Sequence, residues 1–397
     1  MNLSQRMDRE LMRRNNMRLV LASVLKAGEV SRACLAESTG MSAMSVGRIA
    51  DELIGLGLLQ EQEKAEVKQN AAGRPPKALS LPIDKLLCCG VYLDKRILYL
   101  GITDPLGNLK DMEAVTYAPD GELLPERVLP WMAEQIGAFL NKWRGKGLLN
   151  KVGVAVPGIV DIHKGDMLFS ANLHWRNVAV TEHLKERLPD YCFYLENDTK
   201  ALAQAVYRFR NEADTQNMVL LSLGDGIGSA AILNGQICRS AQNMAGEIGH
   251  IILNPAGKVC ECGQTGCLQT NLAQSAILNE ARSVYPDITM DELLTRSRRG
   301  EPFAAALINQ VVGYISTAIN LLANTYAPEV IVLSGSTIWD HPLLCSMVER
   351  NYRNRLNEYM QDAFKLRFDA FGISGYIVGA GAIAFERVVD ALCVVYA

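Results

Sequence analysis

The spacing of apolar residues divides the chain into a helical N-terminal part and a longer part that mixes strands with helices. Met17–Leu25 places its apolar residues on one helical face. Arg32–Ser38 and a segment from Ser42 to about Leu56 follow the same period, with the Thr39-Gly40 turn between them. Two short helices joined by a glycine-containing turn predict a helix-turn-helix.

The last of these helices would be the recognition helix, because small polar residues occupy its N-terminal face. Ser42, Ser45 and Arg48 are therefore its predicted DNA contacts. An arginine reaches a guanine edge or a phosphate, and a serine hydroxyl bonds to either kind of acceptor.

Two predicted strands, Leu58–Gln62 and Lys77–Leu81, flank a polar loop that contains Gly73-Arg74-Pro75. This arrangement predicts a winged helix-turn-helix domain in residues 1–82. Arg74 would stand on a stiff, narrow backbone at the wing tip, which suits insertion into an electronegative minor groove. A three-helix interaction or dimerisation module is the alternative for the same helical pattern.

The remaining residues, 83–397, show two successive runs of strands, each followed by a helix and a further buried strand. The predicted elements are Leu87–Leu93, Ile97–Thr103, Leu109–Thr116, Leu129–Trp143 and Val152–Val156, then Met218–Leu223, Gly228–Leu233, Gln236–Cys238, Ala305–Ala323 and Val330–Leu333. Two similar halves predict an α/β fold of two lobes with a cleft between them. We place the lobes at roughly 83–198, with the C-terminal helix returning to it, and 199–375.

Composition is that of an ordinary globular protein, with 49% hydrophobic and 21% charged residues among 397. Residues 1–80 carry 12 basic and 9 acidic side chains, so a mildly basic N-terminal region precedes an acidic body. Apolar runs such as Leu86–Leu93 are too short to span a bilayer, and no secretory signal is evident. We therefore expect a cytoplasmic protein without membrane insertion.

Three of the ten cysteines lie within eight residues, at Cys260, Cys262 and Cys267, and His250 precedes them. One imidazole and three thiolates form the usual closed shell of a structural zinc ion. Without a secretory signal, such a cluster indicates metal binding in preference to disulfides. The alternative is a loop of three reduced cysteines without metal.

The chain resembles the ROK family of repressors, open reading frames and kinases over essentially its whole length. The motifs Gly246-Glu247-Ile248-Gly249-His250, Cys260–Cys267 and Glu196-Asn197-Asp198 carry the resemblance. It is similar to the repressor branch that responds to glucose and N-acetylglucosamine. This implies an actin-like, hexokinase-type (ribonuclease H-like) body, structural zinc, a sugar in the interlobe cleft, and homodimers or homotetramers.

The resemblance also implies a set of sugar contacts. In the kinases of the family, the residue matching Asp198 is the base that takes a proton from the sugar hydroxyl. The family usually has glutamate after Cys267-Leu268, whereas this chain has Gln269, so the identity of the sugar stays open. From the residues alone, Asp198 is alternatively a helix cap and Glu247 a solvated loop acid. The sugar-binding residues implied are Asn172, Asn197, Asp198, Glu247, His250 and Gln269.

The loops that hold phosphates in the kinases are altered here. Those enzymes carry Asp-x-Gly-Gly-Thr in the first hairpin, but this chain reads Leu93-Asp94-Lys95-Arg96. In the second loop, Asp225 stands between Gly224 and Gly226, where a carboxylate repels phosphate. These changes predict that the protein is not an enzyme.

Together these observations predict a transcriptional regulator that binds operator DNA and is controlled by a sugar. Two alternatives stay open. One is an ATP-dependent sugar kinase of the ROK type with an appended DNA-binding domain. The other is a repressor that senses a regulatory partner protein and keeps only a vestigial sugar pocket.

Overall fold

A computed structural model describes residues 3–63, 77–212 and 214–391. The N-terminal head contains three helices and a small antiparallel sheet in the order β1-β3-β2. Its elements are α1 (Leu3–Ala27), β1 (Val30–Ser31), α2 (Arg32–Thr39), α3 (Ala43–Gly55), β2 (Gln60–Glu63) and β3 (Lys77–Ser80). The helix-turn-helix elements therefore form where the periodicity predicts them, although α1 begins well before Met17.

The first lobe is built on a five-stranded sheet in the order β11-β7-β4-β5-β6. Strands β11, β7 and β4 run parallel, whereas β4, β5 and β6 form antiparallel hairpins. Its elements are β4 (Leu87–Asp94), β5 (Ile97–Thr103), β6 (Leu109–Thr116), α4 (Pro125–Trp143), β7 (Leu148–Val156), β8 (Ile159–Asp161), β9 (Asp166–Ser170), β10 (Trp175–Val178), α5 (Val180–Arg187) and β11 (Cys192–Asn197).

The second lobe repeats this topology with the order β14-β13-β12-β15-β16, so the predicted duplication of the fold is confirmed. Its elements are β12 (Met218–Leu223), β13 (Ile227–Leu233), β14 (Gln236–Ile237), α7 (Gln269–Leu272), α8 (Gln274–Arg282), α9 (Met290–Arg298), α10 (Pro302–Tyr326), β15 (Val330–Ser334), α11 (Ser336–Trp339), α12 (Pro342–Asn351) and β16 (Lys365–Phe368), with α6 (Asp198–Arg210) and α13 (Ser374–Ala391) lying between the lobes.

Helix α13 packs closely on the first lobe because glycines remove side chains from the contact. A Cβ on Gly153 of β7 would lie 1.9 Å from the carbonyl oxygen of Ala380. A Cβ on Gly379 would lie 1.8 Å from the carbonyl oxygen of Ala201 in α6. The backbones of α13, α6 and β7 therefore touch directly, which leaves little room for one to move alone.

The C-terminal half of α13 also packs on the head. Phe385 is buried in the same apolar cluster as Val20 and Leu21 of α1 and Cys88 of β4. Arg18 of α1 forms an ion pair with Asp390 of α13. One helix therefore contacts both the first lobe and the head.

Helix α10 is long and apolar enough to cross a membrane by length and composition alone. However, half of its most apolar 18-residue window is buried inside the protein. Val311, Ile315 and Ile319 belong to the apolar core of the second lobe. These contacts account for the apolar composition of the helix.

Candidate functional site

The helix-turn-helix is stabilised by two serine caps. Ser31 accepts a hydrogen bond from the backbone N–H of Cys34 at the start of α2, and Ser42 accepts one from Ser45 at the start of α3, each at 3.2 Å. Both satisfy helix N–H groups that would otherwise lack a partner. Gly40 takes a left-handed conformation with φ +68° between the helices. The sequence thus encodes the turn and the start of α3 locally.

The outward face of α3 contains one prominent residue that the sequence analysis did not select. Met44 is 87% exposed, whereas Val46 and Leu53 on the opposite face are fully buried. Of the predicted DNA contacts, Arg48 is exposed and Ser45 is half-buried. At the start of the predicted recognition helix, an exposed thioether would be suited to contact a thymine methyl group.

An ionic network joins α2, α3 and the sheet of the head. Arg32 pairs with Asp51 at 2.6 Å and with Glu61 at 2.7 Å, and Lys77 also pairs with Glu61. The hydrogen bond from Lys77, together with Arg32, lowers the pKa of Glu61. Because Glu61 and Lys77 lie on β2 and β3, the network fixes the two strands that lead into the predicted wing. Arg74 itself lies outside the described residues.

The four predicted metal ligands converge on one point. One ligand atom from each of His250, Cys260, Cys262 and Cys267 can be chosen so that all four lie within 4.8 Å of one another. The Cys262 and Cys267 Sγ atoms are 3.7 Å apart, and Cys260 Sγ is 3.7 Å from His250 Nδ1. Tetrahedral zinc with Zn–S bonds of about 2.3 Å requires thiolates about 3.8 Å apart. The donor set and its spacing therefore fit a metal ion of this kind.

Asn197 and Asp198 stand at the N-terminus of α6, where β11 ends in the cleft. The Asn197 side chain caps the helix, because its Oδ1 accepts from the N–H of Lys200 at 3.0 Å. Its Nδ2 donates to the carbonyl of Gly158, also at 3.0 Å. The capping role considered for Asp198 therefore belongs to Asn197. Asp198 Oδ1 accepts from the N–H of Thr199 at 2.6 Å.

Burial raises the pKa of Asp198 to about 7, although its side chain keeps some exposure to the cleft. The nearby carboxylates of Asp94 and Glu247 raise it further. Burial also raises the pKa of Asp94 and of Glu247. Three carboxylates from three separate segments therefore share the cleft, which is the chemistry that recognises a polyhydroxylated ligand. Asp94 was not among the predicted sugar contacts.

His250 faces both the metal ligands and the cleft. Its Nδ1 is directed to Cys260, and its Nε2 lies 4.0 Å from Glu247 Oε2. A metal held through Nδ1 would fix the ring and leave Nε2 on the cleft side. The Glu247 side chain is 37% exposed, so it is neither buried nor fully solvated.

The remaining two predicted sugar contacts, Gln269 and Asn172, lie beside the turn that contains Glu247 and beside the second phosphate loop, respectively. Gln269 is buried at the start of α7, and its Oε1 would lie 3.2 Å from a Cβ on Gly249 in the Glu-x-Gly-His turn. It also lines a cavity of about 390 Å³ between α8 and the metal loop, residues 250–267, which carries the four predicted metal ligands. Asn172 lies opposite the second phosphate loop, where its Nδ2 would be 3.4 Å from a Cβ on Gly226.

Residues of the altered phosphate loops contact one another. Lys95, in a left-handed conformation with φ +48°, forms an ion pair with Asp225. Beneath the first loop, Tyr92 is buried and stacks on Tyr376 with ring centroids 4.2 Å apart. The Lys95 side chain therefore reaches from the first hairpin to the second loop.

Four further polar residues beside the site were not selected from the sequence. They are Glu196, Lys200, Arg239 and Asn243, which form a connected network of hydrogen bonds and an ion pair. Only Glu196 had a sequence signal, since it belongs to the Glu-Asn-Asp motif. The others come together through contacts distant in sequence.

Comparison with known proteins agrees with this architecture. The family model described as the ROK family matches residues 111–387. The chain is 22% identical over 389 residues to the xylose repressor of Bacillus subtilis, covering 96% of this chain and 98% of the relative. It is 28% identical over 360 residues to the DNA-binding transcriptional dual regulator NagC of Escherichia coli K12, covering 86% and 85%.

Among solved structures, a ROK family transcriptional regulator described as a homolog of the Escherichia coli MLC protein superposes with a TM-score of 0.82 and 23% identity, covering 97% of this chain and 98% of the other. A ROK family glucokinase from Streptomyces griseus in complex with glucose and AMPPNP gives a TM-score of 0.65 and 22% identity, covering 76% and 99%. The fold is therefore shared with both regulators and kinases.

Proposed function

The chain belongs to the ROK family, and from this premise we propose that it is a DNA-binding transcriptional repressor of carbohydrate-metabolism genes that a sugar or sugar derivative controls. The observation that carries the proposal is the helix-turn-helix head, whose helices are capped by Ser31 and Ser42 and which packs on a sugar-kinase-like body. The regulators among its relatives support this choice, since they align with nearly the full chain.

The competing function is a sugar kinase with an appended head. The altered phosphate loops weigh against it, because Lys95 and Asp225 pair with each other where backbone N–H groups would have to approach phosphate oxygens. We therefore propose a body that keeps the carboxylates for a sugar and lacks phosphoryl transfer. ATP turnover on any sugar, abolished by Asp198→Asn, would instead establish the kinase.

We assign a structural role to zinc at His250, Cys260, Cys262 and Cys267. When bound, the ion would be enclosed by four protein ligands and so would leave no position for water activation. Its effect on function would be to hold the loop after Glu247 and the His250 ring in place. Zinc binding would then support the sugar site without taking part in a reaction.

The proposed control mechanism begins in the cleft, where a sugar bridges Asp198 on α6 and Glu247 in the second lobe. Such bridging changes the angle between the lobes. Helix α13 offers the connection to the head, because it touches α6 through Gly379 and α1 through Phe385 and Asp390. To swing a population from 1:99 to 99:1, the sugar must prefer the non-binding state by about 10⁴-fold.

We further propose that the protein acts in the cytoplasm as a homodimer or homotetramer on a pseudo-palindromic operator. Paired half-sites require two heads in fixed spacing, which a monomer does not supply. A protein partner that relieves repression is the other candidate signal. The exposed apolar residues Ile251, Ile252 and Val259 near the metal loop favour a protein contact there.

The experiment that tests this function is fluorescence anisotropy on the protein's own upstream DNA and on an unrelated duplex of equal length. Both titrations use one salt concentration, because the phosphate contribution otherwise dominates. A specificity ratio of about 10³ or more supports the repressor. Added D-xylose, D-glucose or N-acetyl-D-glucosamine should then release the operator. Equal, weak binding to every candidate duplex would refute the proposal.

A further inference from the structure

The loop that leads to Glu247, residues 238–247, begins and ends on β13 of the second lobe and contacts the first lobe between these points. Its Asn243 is buried, and the Asn243 carbonyl accepts a hydrogen bond from Lys200 Nζ at 2.7 Å. The Asn243 side chain donates to the carbonyl of Val160 and to Glu196 Oε1, each at 3.3 Å. Two elements of the first lobe, β8 and β11, together with helix α6, therefore contact one residue of this loop.

Two charged side chains of this network, Lys200 and Glu196, are buried and held by polar partners. Lys200 is 1% exposed, and burial lowers the pKa of its ammonium group. Glu196 is 2% exposed and forms an ion pair with Arg239 at the beginning of the loop. A buried ammonium is costly unless it is held by polar partners, and a buried ion pair adds little net stability although breaking it is costly. The network therefore favours one fixed arrangement of the loop.

Lys200 connects the N-terminus of α6, where Asp198 lies, to the loop that leads to Glu247. Its backbone N–H is the group that Asn197 caps at the start of α6, and its side chain holds the loop. At the far end of the loop, the Gly246 carbonyl accepts from the N–H of Ser229 on β13 at 2.8 Å. Glu247 follows directly after this anchored glycine.

We propose that Lys200 and Asn243 are positioning residues of the sugar site, which hold the Glu247 loop against the N-terminus of α6 and so set the separation of Glu247 from Asp198. The proposal rests on the proposed sugar-responsive function. Asn243 suits the position because it has φ +56°, a conformation that asparagine adopts more readily than most residues.

The first test is hydrogen exchange of the full-length, zinc-loaded protein without sugar. Lys200→Met keeps the side-chain length and removes the donor. Amides in residues 239–246 should exchange about tenfold faster, as expected for the loss of a hydrogen bond from a charged group. Strands β12 and β15 should be unchanged. Lys151→Met is the matched control, because Lys151 lies beside Cys192, at the end of β11 that is opposite to α6. Unchanged loop exchange, or equal acceleration in both lobes, would overturn the proposal.

The second test is calorimetry with D-xylose, D-glucose and N-acetyl-D-glucosamine. For any sugar that binds the wild type, Lys200→Met should weaken binding by about tenfold. Glu247→Ala should weaken binding as well, and the double variant should be no weaker than Glu247→Ala alone, because Lys200 acts through the placement of Glu247. Additive losses, or unchanged affinity in Lys200→Met, would refute a positioning role.

A third variant separates the two halves of the contact. Asn243→Gly keeps the backbone carbonyl that Lys200 holds and tolerates the positive φ, but it removes the side-chain donor. Its loop exchange should fall between wild type and Lys200→Met. If none of the three sugars binds the wild type, these three are excluded as effectors, whereas the exchange comparison still decides whether Lys200 holds the loop.

Discussion

Lys95 and Asp225 form an ion pair that joins the β4–β5 hairpin of the first lobe to the β12–β13 hairpin of the second. The pair occupies the mouth of the cleft, where the phosphate loops of a kinase would face a nucleotide. Both side chains are 46% exposed, so water screens their attraction. We therefore expect the contact to add little to the closure of the lobes.

A double-mutant cycle with Lys95→Ala and Asp225→Ala should give a coupling free energy of unfolding of at most about 1 kcal/mol, as is usual for exposed pairs. This coupling free energy should fall further at high salt, because dissolved ions screen the attraction between exposed charges. Chemical unfolding of the four proteins at two salt concentrations measures both effects. A coupling of several kcal/mol that resists salt would mean that the pair holds the lobes together.

The raised pKa of Asp198 predicts a specific pH dependence of stability. The folded state binds this proton more tightly than the unfolded state, whose pKa is near the usual 3.8. Stability is therefore lost as pH rises from about 4 to about 7, and the full cost is present above that. Asp198→Asn stays neutral and avoids the cost, so it should gain about 2 kcal/mol relative to wild type between pH 5 and pH 8.

Unfolding of wild type and Asp198→Asn at both pH values, with zinc present, tests this prediction. Any pH dependence of the metal site is common to both proteins and cancels in the difference. Asp190→Asn, which changes an exposed carboxylate, is the control and should show no comparable gain. A constant difference between wild type and Asp198→Asn would contradict the assignment of a high pKa to Asp198.

Removal of one thiolate should disrupt the metal site and the sugar site together. Cys262→Ser should lose bound zinc, lower the thermal midpoint and weaken sugar binding by about tenfold or more, because the ligand set holds His250 beside Glu247. Metal analysis, calorimetry and thermal unfolding measure these effects. Cys345→Ser, outside the cluster, is the matched control. Full zinc content in Cys262→Ser would show that the cluster is not the site.

Local features of the molecule were predictable from the sequence. Ser31 and Ser42 cap their helices through contacts three residues away, and Cys260–Cys267 converge within one short loop. The strands of both lobes follow from alternating or continuous apolar runs. The predictions of an α/β fold and of the metal cluster therefore depended on short-range patterns, which periodicity and spacing reveal.

Long-range contacts account for what the sequence did not show. Lys200 and Asn243 are 43 residues apart, and neither has a local pattern that distinguishes it from a surface residue. Asp94, at the end of β4, comes near Asp198 only through the tertiary packing of the first lobe. The polar first part of α1 has no apolar stripe, so periodicity placed the start of the helix too late. Such features depend on tertiary packing.

The exposed face of α3 predicts separable roles in DNA binding. Arg48→Ala should weaken operator binding by about 1–3 kcal/mol if the guanidinium reads a guanine, with relaxed specificity at one base pair. A phosphate contact would instead give a uniform loss on all duplexes and a shallower salt dependence. Anisotropy titrations on matched and mutated operators distinguish these outcomes. Unchanged affinity on every duplex would exclude Arg48 from the interface.

Met44→Ala should weaken operator binding selectively, because removal of the exposed thioether takes away an apolar contact to a thymine methyl. Replacing that thymine by uracil, which lacks the methyl group, should reproduce the loss in the wild type and add nothing in the variant. A scan of single thymine-to-uracil changes through the operator measures this. If no position shows the effect, the Met44 side chain does not read a thymine methyl.

The contact between Arg18 and Asp390 predicts a variant that separates DNA binding from its control. Asp390→Asn removes the charge that α13 presents to α1 but leaves the sugar site and the recognition helix unchanged. Operator affinity without sugar and sugar affinity without DNA should therefore change little. The release of operator by sugar should weaken, because the coupling free energy between two sites depends on the elements that connect them.

Glu386→Gln is the comparison variant. Glu386 lies one turn earlier in α13 and pairs with Arg208 of α6, so this change alters the contact of α13 with α6 and leaves its contact with α1 in place. Anisotropy titrations with and without sugar measure the coupling in each protein. Wild-type release in both variants would mean that the signal reaches the head by another path.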